Sequence, residues 1–171
     1  MDRSYRLLLI AGLPGSGKTT LATALGRKLM WPVLDKDTIK TCLLRAGAEE
    51  SLAGPVSYDL LLDLAQDLLI QGHSVILDAP AKYRSVVDRC TQLANANRGT
   101  FRTVLCRISP EEQGRRLLQR APRLSQWSSL SDTRPGDDAG WDEMFQDDTL
   151  VLDTSAPVDD LVAAVTGWLS G

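Results

Sequence analysis

The chain has 171 residues, a size that one hydrophobic core can organise. Hydrophobic residues at 43% and charged residues at 24% exclude a disordered chain, a collagen-like repeat and a disulfide-stapled miniprotein. Nineteen Lys and Arg against 22 Asp and Glu leave a net charge of -3, which argues against broad duplex nucleic-acid binding. A nucleic-acid end held in a small pocket stays open. Cys42, Cys90 and Cys106 are scattered, and His73 is the only histidine, so neither a disulfide framework nor a zinc site is written here. The first apolar run is too short for a signal-peptide core or a membrane span. These features together predict a soluble cytoplasmic protein with no membrane partner.

In chain order, Leu7 to Ala11 is a continuous apolar run ended by Gly12, the pattern of a strand buried on both faces. Lys18 to Leu29 follows with Leu21, Ala22, Leu25 and Leu29 on one helical face. Pro32-Val33-Leu34 is a short strand leading into Asp35, and an apolar helix follows Asp37. Tyr58 to Ile70 has helical spacing and is stopped by Gly72. Val75-Ile76-Leu77 is a strand ended by Asp78, and Arg84 to Ala96 a helix striped by Val86, Val87, Cys90, Leu93 and Ala94. Val104 to Ile108 reads as a strand. Ser109-Pro110-Glu111-Glu112 then starts a helix that runs to about Arg120, with Ser as cap and Pro in the first turn. Residues 121–140 lack periodicity and form a lid or mobile loop. Leu150 to Leu152, ended by Asp153, and Val158 to Leu169 supply a last strand and helix. The alternation predicts one α/β domain over residues 1–171: three layers, α/β/α, around a five-stranded, mainly parallel sheet with a lid segment.

Gly12-Leu13-Pro14-Gly15-Ser16-Gly17-Lys18-Thr19 fits G-x-x-x-x-G-K-[ST], between a buried strand and a helix. Glycines let such a loop curl its N–H groups onto phosphate oxygens, and the helix adds the positive end of its dipole. Gly12, Pro14, Gly15, Ser16, Gly17, Lys18, Thr19 and Thr20 are therefore the nucleotide-binding candidates. Lys18 reaches the β- and γ-phosphates, while Thr19 and Asp78 hold Mg²⁺.

This loop, with Asp37-Thr38-Ile39-Lys40, Gly72-His73-Ser74-Val75-Ile76-Leu77-Asp78 and Arg84, resembles the small P-loop kinases. That group includes the kinase domain of polynucleotide kinase, chloramphenicol phosphotransferase, and gluconate and shikimate kinases. The resemblance runs from about Arg6 to Arg120 and specifies kinase architecture rather than substrate. It implies ATP and Mg²⁺ as cofactors, and transfer of the γ-phosphoryl group to a hydroxyl of a small molecule or nucleotide-like acceptor. Asp37 falls at the family's general base, with Asp35 as the reserve candidate; a helix N-cap is the structural role Asp37 could fill instead. Lys40 stands where polynucleotide kinase has an Arg that touches the substrate phosphate, and Lys lacks that bidentate fork. Arg84 and Tyr58 join it as acceptor-binding candidates, and Tyr83 could also line the pocket. Arg115, Arg116, Arg120 and Arg123 lie in the lid region; Arg120 and Arg123 are the favoured lid residues and Arg115 fits a solvated basic face.

The segment from Asp132 to Asp148 holds seven acids and one base, Arg134. It reads as a solvated loop, or as an attractor for a cationic acceptor. Trp127 and Trp141 could stack on a ring-shaped acceptor or anchor the lid. His73 follows Gly72 at a turn, which argues against catalysis. The alternative function is a nucleotide-dependent switch or binding module. Against it, Asp78-Ala79-Pro80-Ala81 stands where D-x-x-G would be, and N-K-x-D is absent.

Overall fold

A computed structural model describes residues 5–81, 83–119, 144–145 and 149–171. Its elements run β1 (Arg6–Gly12), α1 (Lys18–Leu29), β2 (Val33–Asp35), α2 (Lys36–Arg45), α3 (Glu50–Ile70), β3 (Val75–Asp78), α4 (Arg84–Ala96), β4 (Thr100–Arg107), α5 (Pro110–Gln119), β5 (Thr149–Asp153) and α6 (Val158–Ser170). The five strands form one sheet in the order β2-β3-β1-β4-β5, and every neighbouring pair is parallel. The sheet is thus wholly parallel where the sequence predicts mainly parallel.

Parallel strands cannot be joined by tight turns, so each crossover lays a helix on a face of the sheet. The alternation along β1 shows the consequence. Leu7, Leu9 and Ala11 pack with Leu61, Leu62 and Ala65 of α3 and with Val86 and Cys90 of α4. Leu8 and Ile10 pack on the opposite side with Leu21 and Leu25 of α1 and Leu161 and Val165 of α6. Two apolar layers sandwich the central strand, which is why it reads as an unbroken hydrophobic run.

Two elements differ from the sequence reading. The third helix begins at Glu50, two turns before Tyr58, and carries Pro55 inside it. Proline leaves a carbonyl one turn upstream without its helical donor, and Ser57 helps hold the turn by donating to the Gly54 carbonyl at 2.6 Å. β4 begins at Thr100 rather than Val104, pairing Thr100 with Arg6 at the sheet's lower edge. Among the described residues no helix is long and apolar enough to cross a membrane.

Candidate active site

Register places the chemistry. Ile10 pairs with Asp78, and Asp78 pairs with Asp35, so the carboxyl ends of β1, β3 and β2 lie side by side. Ligand sites of open parallel sheets lie at these ends, where loops diverge from a rigid base. A cleft of about 1190 Å³ opens there, lined by Gly15, Lys18, Thr19, Asp37, Tyr58 and Arg116 among others.

The loop between β1 and α1 has glycines at φ 147° (Gly12), 82° (Gly15) and 85° (Gly17). A Cβ on Gly12 would stand 2.6 Å from the Cys106 carbonyl oxygen, so only glycine fits beneath the loop. Gly17 caps α1 without a side chain, and no acid occupies the first turn of that helix, leaving its positive end facing the loop. Lys18 Nζ donates to the Leu13 carbonyl at 2.9 Å, bridging the loop. Pro14 and Thr20 also line the cleft. Ser16 is buried, and its hydroxyl oxygen and Asp78 Oδ2 are the buried side-chain atoms without a hydrogen-bond partner among the described residues.

Those two orphan oxygens fit the expected ligands. Thr19 hydrogen-bonds Asp78, whose carboxyl is pushed up to about 6 by burial, opposed by Lys18 and Thr19 and reinforced by Asp35 and Asp37. A buried carboxylate with one unsatisfied oxygen beside a threonine suits a hydrated Mg²⁺, which takes few protein ligands and completes its shell with water and phosphate. Among the described residues no group of three or more His, Cys, Asp or Glu gathers into a protein-only metal site.

The acceptor-side acids divide differently from the sequence expectation. β2 ends at Asp35 and α2 begins at Lys36, so the chain turns between the two acids instead of continuing extended. Asp35 is the N-cap: its Oδ1 accepts from the Asp37 amide at 2.8 Å and its Oδ2 from the Thr38 hydroxyl at 2.7 Å. The cap that the sequence offers to Asp37 thus belongs to Asp35. Asp37 lies in the first turn of α2 and lines the cleft, with Lys36 Nζ 3.9 Å from its Oδ1.

Lys36 is buried and lies 5.0 Å from the Tyr58 ring centroid, in cation–π range. Tyr58 meets Tyr83 edge to face at 6.1 Å. Lys40 lines the cleft and forms an ion pair with Glu50 of α3. Arg84 does not line it: this residue lies on the exposed face of α4 and pairs with Asp88 at 3.3 Å. Arg89, passed over in the sequence, lines the cleft instead and pairs with Asp59 at 2.6 Å.

The fourth wall is α5. Gln113 Nε2 donates to the Pro14 carbonyl at 2.7 Å, and Arg116 donates to the Thr154 carbonyl at 2.8 Å. Thr154 in turn donates from its hydroxyl to the Ser16 carbonyl at 2.7 Å, closing a ring of contacts behind the loop. Arg116 comes so close that one guanidinium nitrogen would stand 3.2 Å from a Cβ on Gly17. Arg115 faces solvent and, with Arg116, holds Glu112 down at about 2 through hydrogen bonds. Arg120, Arg123, Trp127, Trp141 and most of the acidic segment lie outside the described residues.

Comparison with known proteins follows the same line. A family described as an AAA domain matches residues 7–132. The chain belongs to this family. No curated protein matches it. Among the solved structures that share the fold of this AAA-domain protein are the following three. A Chloroflexus aurantiacus protein put forward as a kinase is 21% identical, with TM-score 0.74, covering 99% of this chain and 98% of that one. An APS kinase from Mycobacterium tuberculosis, solved with AMPPNP and APS, is 21% identical, with TM-score 0.68, covering 99% and 100%. A shikimate kinase from Bacteroides thetaiotaomicron is 17% identical, with TM-score 0.69, covering 98% and 99%. The three-layer architecture is that of the P-loop kinases.

His73 is exposed and is not among the cleft residues. Cys90 and Cys106 are buried, and burial pushes both thiols up to about 12, so they act as packing groups rather than nucleophiles.

Proposed function

We propose that this protein is an ATP-dependent kinase that transfers the γ-phosphoryl group to a hydroxyl of a small-molecule acceptor. One observation carries the reading: a single cleft is lined by Lys18 and Thr19 of the phosphate loop and by Asp37 of α2. A carboxylate facing acceptor-sized space is what phosphoryl transfer to an alcohol requires.

The loop amides and the start of α1 hold the β- and γ-phosphates, with Lys18 moving from the Leu13 carbonyl onto them. Asp37 accepts the acceptor's hydroxyl proton as that oxygen bonds to the γ-phosphorus. The bond from phosphorus to the β–γ bridging oxygen breaks, and its electron pair leaves with ADP. The products are ADP and a phosphate monoester, and Asp37 returns its proton to solvent. Arg116, beside Gly17, supports negative charge on the transferring group. Magnesium held near Thr19 and Asp78 neutralises charge on the phosphate oxygens when bound. Tyr58 and Lys40 line the acceptor end. Arg120, at the end of the helix before the lid, and Arg123, within the lid over residues 121–140, are proposed from the sequence to cover the phosphates as water is excluded.

The test is ADP formation from Mg²⁺–ATP with hydroxyl acceptors of several classes: 5′-hydroxyl oligonucleotides, nucleosides, sugar acids, shikimate and aminoglycosides. Acceptor-stimulated ADP formation with a phosphorylated product supports the reading. ADP formation that no acceptor changes, rising only with a protein partner, contradicts it.

A further inference from the structure

The phosphate loop is held from behind by two side chains that lie far from it in sequence. Gln113 of α5 and Thr154, the residue after β5, are both polar and buried. Gln113 Nε2 donates to the Pro14 carbonyl and the Thr154 hydroxyl to the Ser16 carbonyl, each at 2.7 Å. That hydroxyl also lies 3.2 Å from the Arg107 carbonyl, but it has one hydrogen and the Ser16 contact is the shorter.

Each anchored carbonyl shares a peptide unit with a glycine amide, Gly15 after Pro14 and Gly17 after Ser16. A trans peptide is planar, so its C=O and N–H point in opposite directions. No described peptide bond is cis. Drawing the two carbonyls back onto Gln113 and Thr154 therefore turns the Gly15 and Gly17 amides the other way. Gly15 and Gly17 line the cleft, whereas Ser16 between them is buried and spends its own amide on the Leu13 carbonyl at 3.1 Å.

Glycine is the residue whose backbone reorients most freely, so an untethered unit of this loop would sample other orientations. A reversed unit presents a carbonyl oxygen where an anion needs a donor. The anchors are themselves fixed. Thr154 donates its amide to the Arg107 carbonyl at 2.9 Å, and its carbonyl accepts from Arg116 at 2.8 Å. Helix α5 packs directly on Gly15, where a Cβ would stand 3.0 Å from Leu117 Cγ and 3.2 Å from Gln113 Cγ. Donors aimed before the ligand arrives cost nothing to reorganise when it binds.

We propose that Gln113 and Thr154 are positioning residues for the nucleotide phosphates, Gln113 aiming the Gly15 amide and Thr154 the Gly17 amide. The inference rests on the nucleotide reading of the loop and is independent of the acceptor.

The test is the pair of Gly15 and Gly17 amide resonances in ¹⁵N-labelled protein titrated with AMPPNP–Mg²⁺, in wild type, Gln113→Met and Thr154→Val. These substitutions keep side-chain size close to the original and remove the donor. In wild type both amide protons should move downfield as they bond to phosphate. Gln113→Met should lose the Gly15 shift and keep that of Gly17, and Thr154→Val the reverse. The AMPPNP dissociation constant should rise about tenfold in each, and Thr154→Ser, which retains the hydroxyl, should restore it to within about threefold. If Thr154→Val fails to fold, Gln113→Met carries the same comparison of one glycine against the other. Variants that bind and shift like wild type overturn the inference. Weaker binding with both shifts retained, or both shifts lost together in one variant, marks a general loosening and overturns it too. A wild type in which neither amide responds contradicts the nucleotide reading, and the inference falls with it; an unchanged variant beside a responding wild type removes the inference alone.

Discussion

The Asp35 carboxylate accepts the amide hydrogen of Asp37 at 2.8 Å, so one acid of the pair holds the other in place. Two acids separated by a lysine have different tasks because the strand stops between them. Capping by Asp35 ties the start of α2 to the end of β2, and this fixes where Asp37 enters the cleft. Asp35→Ala is expected to lower stability by about 1 kcal/mol, with Asp35→Asn losing less because it can still cap. Chemical denaturation of the two variants checks this. Equal loss in both would show that the cap contributes little.

Asp78 gives a pH dependence with a defined sign. Its carboxyl titrates at about 6 in the folded protein against 3.8 as a free side chain, because burial disfavours the charge. The folded state therefore holds the extra proton between these values. Its contribution is greatest at low pH, declines as pH rises through this window and is flat above it. The displacement corresponds to roughly 2–3 kcal/mol. In EDTA, wild type should lose stability relative to Asp78→Asn by about that amount between pH 4 and 6.5. A difference between the two that does not change with pH contradicts the assignment.

The two neighbouring arginines of α5 should separate in kinetics. Arg116 touches the Thr154 carbonyl and stands over Gly17, while Arg115 faces solvent beside Glu112 and Gln119. Arg116→Ala is expected to lower kcat by about ten- to a thousandfold. Arg115→Ala should leave kcat within about twofold. Steady-state kinetics on both variants decide it, and equal effects would remove the special role of Arg116.

Much of this was legible in the sequence for physical reasons. Strands buried on both faces leave unbroken apolar runs, and the glycines of the phosphate loop are demanded by positive φ and by close approach to the Cys106 carbonyl. Polar segments were harder. Thr100 to Thr103 extend β4 with residues that carry little strand pattern, and Gly54-Pro55 reads as a break although α3 runs through it. Lys36 and Arg89 were missed because a charged residue on a helix reads as solvated. Only tertiary packing turns them toward the cleft. The same packing leaves Arg84, which has the family spacing, paired with Asp88 on the outer face.

The most direct measurement follows the fate of the γ-phosphate of labelled ATP in wild type and Asp37→Asn. Wild type should place the label on an organic acceptor. The variant should lose at least about a hundredfold in transfer rate while its ATP dissociation constant stays within about threefold, because Asp37 acts on the acceptor proton and not on the nucleotide. Transfer by Asp37→Asn at the wild-type rate would contradict the account.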